Sequence, residues 1–372
     1  MRVEAGAHSA PVNRLAVDSA GTVLASASDD KTVRLWSLPS GELRGVLRVP
    51  IGEAQEGELD AVALSPDGRV AFAGGISGFA WDKTYAIYWF DTATQRMTGR
   101  LPNLPAQVNH LAVSADGTSR AAALGGQTGV RLWDAATGRA IAEDRAYRGP
   151  ARMVVFAADG RFFTTAADGL VRAYAADGRK LAEAAPRERA RPYGIAVSPD
   201  GTLVAVGYEN VAAVDVLAAN GLRRVFSPDV TGVPAAWLPA VAWASERRGG
   251  VQLLAAGFGP QRGIVLRWAD FGLGPARDLA ASPDSILHLL PLPQGGAAFA
   301  AADPGWGVVG PDGTLARAPR PPLSDAREAR GGLAVSADGR TIEWPGAQGR
   351  LRFELDGRGL EQIAYGWKQP YA

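Results

Sequence analysis

Polar side chains recur at one place in a repeated sequence pattern, eight residues before a series of turn glycines. Asn13, Asp60 and Asn109 occupy this place in the first three copies, and Arg152 and Tyr193 occupy it in the next two. Carboxylate and amide oxygens are ligands that Ca²⁺ prefers in proteins. Three of them on consecutive repeats could hold a cation and make the chain a hydrolase or lyase, although the charge of Arg152 would oppose it. The interpretation that we favour is that these strands surround a central channel. Its polar, water-filled mouth is formed by Asn13, Asp60, Asn109 and Tyr193.

The three histidines offer a second route to chemistry. His110 and His288 occupy equivalent places in their repeats, where the first repeat has Arg14. A pair of imidazoles could bind a transition metal, but these two belong to repeats that are not neighbours along the chain. We therefore expect polar packing inside the repeats and no metal.

The composition and the missing motifs exclude several reaction classes. The chain has no cysteine, so a thiolate nucleophile, a disulfide and Cys-ligated zinc are ruled out. It contains no Gly-x-Ser-x-Gly elbow, no phosphate-binding GxxxxGK[ST] loop and no DxDxDG calcium loop. Residues 257–263, GFGPQRG, have the glycines of a phosphate loop, but the proline and the lack of a following helix favour a simple strand connection. We expect no enzymatic activity and no cofactor.

The repeat itself predicts the fold. The segment VNRLAVDSAG (12–21) returns as VNHLAVSADG (108–117), and related copies space their turn glycines 41 to 49 residues apart. Each copy reads as an apolar strand, an Asp-Gly turn, a second strand of small residues, a third strand such as TVRLWS (32–37) and a weaker fourth strand. Four strands in about 45 residues without helical periodicity favour the blade of a β-propeller. The turn glycines are Gly21, Gly68, Gly117, Gly160, Gly201, Gly249, Gly295 and Gly339.

One stretch carries a specific resemblance. SASDDKTVRLW (26–36) resembles the second and third strands of a WD40 repeat. The resemblance implies a structural tetrad of hydrogen-bonded side chains, namely His8, Ser26, Asp30 and Trp36. A buried carboxylate needs donors, so Asp30 is expected to be structural rather than catalytic.

The fourth repeat keeps part of the same set. Thr164, Asp168 and Tyr174 match the tetrad positions, and Ala146 stands where the histidine would be. The sequences of the repeats also resemble those of bacterial WD40 propellers that are found beside caspase-like peptidase domains. Because this chain has no cysteine nucleophile, that resemblance implies a recognition or regulatory module of a peptidase or signalling system.

These observations predict an all-β chain that forms a single WD40-type propeller domain over residues 1–372. We expect eight blades of four antiparallel strands, with seven blades as the alternative. Residues 2–5 could pair as the outer strand of the last blade and close the ring. The approximate repeats are 1–50, 51–104, 105–148, 149–190, 191–236, 237–284, 285–328 and 329–372.

The expected partner-binding surface is the top face, which in WD40 propellers carries the loops from strand four to strand one and from strand two to strand three. The long loop GGISGFAWDKTY (74–85) places Phe79, Trp81, Asp82 and Lys83 there. Aromatic side chains are frequent interface anchors, and Trp81 is the best contact candidate. The alternative is that loop aromatics fold inward. The further candidates are Asp29, Arg148, Arg152, Trp237 and Trp306.

Charge is nearly balanced, with 39 Lys and Arg residues against 38 Asp and Glu residues. The charges are unevenly distributed along the chain, and such a distribution suits a protein or peptide partner better than a nucleic acid. The N-terminus, MRVEAGAHSA, lacks the apolar segment of a signal peptide, and no run approaches the ~18 apolar residues of a membrane span. We expect a monomer that binds a protein or peptide and does not bind nucleic acid or membrane. A cytoplasmic location is slightly favoured, and a mature secreted or periplasmic form stays open as the alternative. The uneven clusters are Glu53, Glu56, Glu58 and Asp60 on one side, and Arg145, Arg148, Arg152, Arg187, Arg189 and Arg191 on the other.

Overall fold

The computed structural model describes residues 6–233, 235–246, 249–259, 262–318, 334–346, 349–354 and 359–364. The first sheet contains β1 (Val12–Val17), β2 (Val23–Ser28), β3 (Thr32–Ser37) and β4 (Leu43–Arg48). The second contains β5 (Glu58–Leu64), β6 (Val70–Ile76), β7 (Tyr85–Asp91) and β8 (Met97–Leu104). The third contains β9 (Val108–Val113), β10 (Ser119–Leu124), β11 (Val130–Asp134) and β12 (Ala140–Asp144). The fourth contains β13 (Ala151–Phe156), β14 (Phe162–Ala166), β15 (Val171–Tyr174) and β16 (Lys180–Ala184).

The second half of the chain repeats this arrangement. The fifth sheet contains β17 (Pro192–Val197), β18 (Leu203–Tyr208), β19 (Val214–Ala218) and β20 (Arg224–Phe226). The sixth contains β21 (Trp237–Ser245), β22 (Val251–Gly259), β23 (Arg262–Trp268) and β24 (Arg277–Ser282). The seventh contains β25 (Ile286–Pro291), β26 (Ala297–Ala301), β27 (Gly305–Val309) and β28 (Leu315–Arg317). The last contains β29 (Ala334–Val335), β30 (Thr341–Gly346), β31 (Gly349–Glu354) and β32 (Gly359–Ala364).

Two short helices interrupt the strands. α1 (Phe79–Asp82) lies between β6 and β7, and α2 (Ala269–Gly272) lies between β23 and β24. Neither is long enough to span a bilayer, and the described part of the chain contains no other helix that could do so. The prediction of an all-β propeller with blades of four antiparallel strands is confirmed.

Neighbouring strands within each sheet are antiparallel and follow the order of the chain. The fifth and sixth sheets are joined because Tyr208 of β18 pairs with Leu238 of β21. Gly207 permits this close approach, since a Cβ at that position would lie 2.5 Å from the carbonyl oxygen of Leu238. The absence of a side chain therefore brings the two sheets together here.

In the second, third, fifth and last sheets, the turn between the first two strands uses the Ser–Asp–Gly chemistry expected from the sequence. In the second sheet, the Ser65 hydroxyl donates to the Asp67 carboxylate over 2.6 Å, and Asp67 accepts the backbone N–H of Arg69 at 3.1 Å. Gly68 has φ +70°, a left-handed conformation that costs glycine little. This local network sets the strand register before any packing between sheets.

The innermost strands of seven sheets follow one another around a central channel. These strands are β1, β5, β9, β13, β17, β21 and β25, and β25 packs directly beside β1. The backbone N–H of Leu15 in β1 donates to Nδ1 of His288 in β25 at 3.2 Å, which joins the two ends of this ring.

The contact between β25 and β1 bears on the number of blades. Within the described residues, β29 is not inserted between these two strands. This arrangement supports the alternative of seven blades with β29–β32 as a further sheet, and not eight blades in one ring. The blade count remains a prediction, since residues 2–5 and much of the C-terminal segment lie outside the described residues.

The core lies between neighbouring sheets. Between the first and second sheets, Leu35, Leu47, Leu59 and Tyr88 are buried together. Between the seventh and first sheets, Leu24 and Trp36 pack with Ala298, Ala300 and Trp306. Each of the seven sheets in the ring is thus stabilised by apolar side chains from the sheets on both sides.

Candidate functional site

The four side chains of the structural tetrad form one hydrogen-bonded chain in the first sheet. Nδ1 of His8 lies 2.8 Å from Oδ2 of Asp30, and its Nε2 lies 2.7 Å from the Ser26 hydroxyl. The indole N–H of Trp36 donates to the same hydroxyl at 2.8 Å. Asp30 also accepts from the Thr32 hydroxyl at 2.6 Å. The tetrad is internal and holds the turn between β2 and β3.

The electrostatics of Asp30 match this internal role. Burial alone would raise the pKa of Asp30, but the charge and hydrogen bond of His8 outweigh it, with help from Thr32 and Arg34. The pKa of Asp30 therefore lies well below its ordinary value. A carboxylate held ionised by its neighbours is a poor proton donor or acceptor at neutral pH.

The fourth sheet builds a different network at the equivalent place. Tyr147, which the sequence analysis missed, lies 2.7 Å from the Thr164 hydroxyl and 2.9 Å from the Tyr174 hydroxyl. Asp168 pairs with Arg172 at 2.7 Å, and that guanidinium lies 3.9 Å from the centre of the Tyr147 ring. The signal is present in the sequence one residue after Ala146, where a tyrosine takes the part expected of a histidine.

The fifth sheet also contains a buried carboxylate network that the sequence analysis missed. Asp215 is fully buried and accepts two hydrogen bonds from Arg187, at 3.0 and 2.8 Å. The Tyr208 hydroxyl donates to it at 2.6 Å. Arg187 was expected to belong to a basic loop surface. Its side chain is 32% exposed, but its guanidinium is engaged with Asp215, because a buried carboxylate needs a charged partner.

The channel mouth begins with the first and second sheets. The amide nitrogen of Asn13 donates to Asp29 at 2.6 Å and to the carbonyl oxygen of Leu59 at 3.1 Å. In the third sheet, the amide nitrogen of Asn109 donates to the carbonyl oxygen of Ala151 at 2.8 Å. Both amides thus link their own sheet to the next one around the ring.

Asp60 is the partly buried acid of the mouth. Burial and then the charge of Asp29 are the main causes that raise the pKa of Asp60 to about 7. Arg14 acts in the opposite direction, and Glu58 adds a smaller increase. Asp60 therefore changes its charge close to neutral pH, and Asp29, Glu58 and Asp60 make this side of the mouth acidic at higher pH.

The opposite side of the mouth is basic. Arg14 is buried and donates to the hydroxyl of Tyr193 at 3.0 Å. Its guanidinium lies 5.3 Å from the centre of the Tyr193 ring, and that of Arg152 lies 5.7 Å from it. Arg152 also pairs with Glu209 at 3.0 Å. Tyr193 therefore lies within cation–π range of both guanidinium groups.

The two inner histidines meet across the channel. The sequence analysis had instead predicted that each ring packs inside its own repeat. The ring centres of His110 and His288 lie 5.9 Å apart, and both side chains are buried. Burial and the charge of Arg14 lower the pKa of His110 to about 3, and the same two causes lower that of His288. Both rings are therefore neutral at pH 7. Across the described residues, no group of three or more His, Asp or Glu side chains could hold a metal ion.

The long connection in the second sheet is partly helical. It presents an aromatic patch, which we define as Phe79 and Trp81, with exposed fractions of 46% and 41%; Ile51, in the segment before β5, is 43% exposed. The backbone N–H of Gly78 donates to the buried carboxylate of Glu56 at 2.5 Å, which fixes the start of α1. Helix α1 buries none of its residues. Glu56 thus holds the helix that carries the patch, and the patch itself is open to solvent.

The neighbours of the aromatic patch are charged. Asp82 pairs with Arg100 at 2.6 Å, and Nζ of Lys83 lies 5.9 Å from the centre of the Phe79 ring. Nζ of Lys31 donates to the carbonyl oxygen of Ala54 at 2.5 Å. This last bond ties the turn between β2 and β3 to the segment before β5.

The remaining candidates fall into two groups. Trp237 is 38% exposed and stacks on Phe258 with ring centres 5.8 Å apart, and the backbone of Arg148 donates to Asp168. Trp306 is only 3% exposed and packs on Trp36. The expectation that Trp306 contacts a partner is wrong, because its indole fills the space between the seventh and first sheets.

Comparison with known proteins agrees with this geometry in the first sheet. The family model described as WD domain, G-beta repeat matches residues 4–37. No curated protein matches the chain. The fold defines a β-propeller, and the match identifies a WD40 repeat in its first sheet. Propellers built from WD40 repeats generally serve as scaffolds for protein–protein interaction and are typically non-catalytic. The chain carries a WD40 repeat in its first sheet, and the other sheets follow the same four-stranded plan.

Proposed function

We propose that this protein is a non-catalytic scaffold that binds a protein or peptide through its top face. The observation that carries the proposal is the aromatic patch. Large apolar side chains on the surface of a monomer are often part of an interface when they are contiguous and rimmed by polar groups. Here they stand on a fixed support beside charged residues.

The support matters for binding because it lowers the entropic cost of association. Glu56 holds the start of α1, and Lys31 holds the preceding segment. Asp82 and Arg100 fix the end of α1. A surface that is ordered before binding gives up less conformational freedom when a partner arrives.

The charges beside the patch indicate the chemistry of the partner. Asp29 accepts a hydrogen bond from Asn13 at the channel mouth, and Asp29 and Glu58 are near enough to Asp60 to raise its pKa. A peptide with an apolar side chain near a lysine or arginine would complement both features. The role of a regulatory module in a peptidase or signalling system stays a prediction that rests on the resemblance of the repeats alone.

The test is affinity capture from a lysate of the source organism, with the captured proteins identified by mass spectrometry. The binding variant is Phe79→Ser with Trp81→Ser. The matched control is Ile141→Ser with Leu181→Ser, because these residues are 40% and 45% exposed on outer strands. A protein caught by wild type and by the control, but not by the binding variant, would support the proposal.

Thermal melting of all three proteins accompanies the capture. Helix α1 buries no residue, so the binding variant should melt within a few degrees of wild type. Capture of the same proteins by wild type and by a folded binding variant would refute the proposed surface.

A hydrolase or lyase with a cation in the channel is the alternative function. The amides of Asn13 and Asn109 donate to protein groups, and the buried Arg14 opposes a cation at this place. Metal analysis of the purified protein separates the two functions: one equivalent of bound calcium that is lost in Asp60→Asn would favour the enzyme.

A further inference from the structure

A polar pocket of about 540 Å³ lies between the sixth and seventh sheets. Its lining residues include Glu246 in the β21–β22 connection, Pro275 in the β23–β24 connection and Pro311 in the β27–β28 connection. These connections join first strands to second strands or third strands to fourth strands, whereas the top face carries the other two kinds. The pocket therefore lies on the face opposite the aromatic patch, and the proposed function does not use it.

Two polar side chains of the pocket occupy places that are apolar in the first sheet. Arg267 stands in β23 where β3 has Leu35, one residue before a buried tryptophan in each strand. Gln252 stands in β22 where β2 has Val23. Leu35 and Val23 belong to the apolar core between the first and second sheets. A polar pocket thus takes the place of apolar packing between the sixth sheet and the next one.

The two arginines of the pocket lie directly opposite one another, Arg267 on β23 and Arg277 on β24. Like charges in this arrangement destabilise a sheet. Among the described residues, neither guanidinium donates a hydrogen bond or forms an ion pair. Nε of Arg267 is sealed from solvent, but its two Nη atoms are not. They reach the seventh sheet and lie against Gly313, where a Cβ would overlap both of them.

Glu246 brings the opposite charge into the same pocket. Its carboxylate pairs with neither arginine and accepts no hydrogen bond from the part of the chain that the structure describes. Asp312 adds a second carboxylate, which accepts the backbone N–H and the hydroxyl of Thr314 at 3.0 and 2.7 Å. The pocket therefore contains charges of both signs that the protein does not join.

A strained connection forms an apolar wall of the pocket. Asp270 and Phe271 of α2 have φ values of +51° and +55°, a left-handed conformation that is unfavourable for residues other than glycine. The ring of Phe271 packs on that of Trp243 with ring centres 6.1 Å apart, which holds the segment in place. Ala269 and Pro275, near its two ends, line the pocket.

We propose that this pocket binds an α-amino acid with an apolar side chain. The carboxylate of the ligand lies between Arg267 and Arg277 and relieves their repulsion, because guanidinium groups donate several N–H bonds to the two oxygens of a carboxylate. The ammonium group lies beside Glu246, and the side chain packs on Ala269 and Pro275. A cavity of about 150 Å³ is enough to hold benzene, so this pocket admits a ligand of that size together with water.

The probe for the test is L-leucine, titrated into the full chain at pH 7.5 by isothermal calorimetry. Two reference ligands each lack one of its charges: 4-methylpentanoate has no ammonium group, and 3-methylbutylamine has no carboxylate. We expect one L-leucine per chain, bound at least about tenfold more tightly than either reference ligand, since a hydrogen bond to a charged group contributes roughly that factor. No saturable binding of L-leucine, or equally tight binding of 4-methylpentanoate, would overturn the proposal.

Three variants locate the site. Arg267→Met should weaken L-leucine and 4-methylpentanoate about tenfold and leave 3-methylbutylamine unchanged. It should melt no lower than wild type, because the equivalent place in the first sheet holds a leucine. Glu246→Gln should remove the preference for L-leucine over 4-methylpentanoate. Arg262→Met is the matched control, since Arg262 is exposed at the other end of β23 and does not line the pocket. Equal affinity for L-leucine in Arg267→Met and Arg262→Met, or an unchanged preference in Glu246→Gln, would contradict the site.

Discussion

Trp36 of the first sheet packs on Trp306 of the seventh, with ring centres 5.6 Å apart and planes inclined at 58°. These residues are 270 positions apart in the sequence. Their contact, together with the bond from Leu15 to His288, shows that the seventh sheet lies beside the first. A repeat protein of this kind gains stability where its two ends meet, because closure buries an apolar face of each sheet.

Replacement of Trp306 should therefore weaken the closure of the ring. Trp306→Ala removes a buried indole, and such truncations cost about 3–5 kcal/mol of the free energy of unfolding. Trp237→Ala is the matched control, since Trp237 is 38% exposed and its loss should cost less than about 1 kcal/mol. Urea unfolding at 25 °C measures both, and equal effects of the two changes would contradict the assignment of Trp306 to the interior.

Removal of the last sheet tests the seven-blade alternative. A chain that ends at Ala318, just after β28, should still unfold cooperatively and keep its β-sheet circular dichroism, because β25 already packs beside β1. A chain that ends at Ala281 cuts into the sixth sheet and removes the seventh, and serves as the control that should not fold stably. Loss of folding in the longer chain would favour eight blades in the ring.

The tetrad predicts a stability that depends on pH. Asp30→Ala leaves His8, Thr32 and the backbone N–H of Ser9 without their acceptor, which should cost ~1–3 kcal/mol at pH 7. The pKa of Asp30 is lowered on folding from its ordinary 3.8, so the folded state binds fewer protons than the unfolded state. The stabilisation is then present above about pH 4 and is lost as the pH falls.

Urea unfolding of wild type and Asp30→Ala at pH 7, 5 and 3 checks this dependence. The difference between the two proteins should shrink toward pH 3. Asp177→Ala, in an exposed turn, provides the control and should change little at any pH. A difference that stays constant from pH 7 to pH 3 would show that the ionised carboxylate is not what Asp30 contributes.

Asp60 should behave in the opposite way. Its pKa is raised on folding to about 7, chiefly by burial and then by the charge of Asp29. Between pH 4 and pH 7 the folded state binds more protons than the unfolded state, so the contribution of Asp60 to stability falls as the pH rises. Asp60→Asn should leave the melting temperature nearly unchanged at pH 4 and raise it by several degrees at pH 8. A decrease at pH 8 would mean that the ionised form is stabilised by a partner in the mouth.

The network around Tyr147 gives a further test. Tyr147→Phe leaves the hydroxyl groups of Thr164 and Tyr174 without a shared partner inside the fourth sheet. Loss of a buried hydrogen bond of this kind should cost ~1–3 kcal/mol. Tyr85→Phe, on a partly buried tyrosine with no hydrogen bond from its hydroxyl among the described residues, is the control. Equal melting temperatures of the two variants would show that the hydroxyl of Tyr147 contributes nothing.

The amino-acid sequence by itself determined the local architecture. The spacing of the Asp-Gly turns and the small-residue strands predicted four antiparallel strands in each repeat, and His8, Ser26, Asp30 and Trp36 pointed to their own network. These features depend on residues within about forty positions of one another. Hydrogen bonding in a turn and alternation along a strand are read directly from such short segments.

Only the tertiary structure decided which residues of different repeats contact one another. The sequence could not show that His110 and His288 meet across the channel or that Trp306 packs on Trp36. Nor could it show that the seventh sheet, rather than the last, lies beside the first. Each of these contacts joins residues from different sheets or loops, and their distance depends on how the sheets close around the channel. A repeated pattern carries the same information in every copy, so it predicts the fold of each blade. The arrangement of the blades in a ring depends on the packing between them.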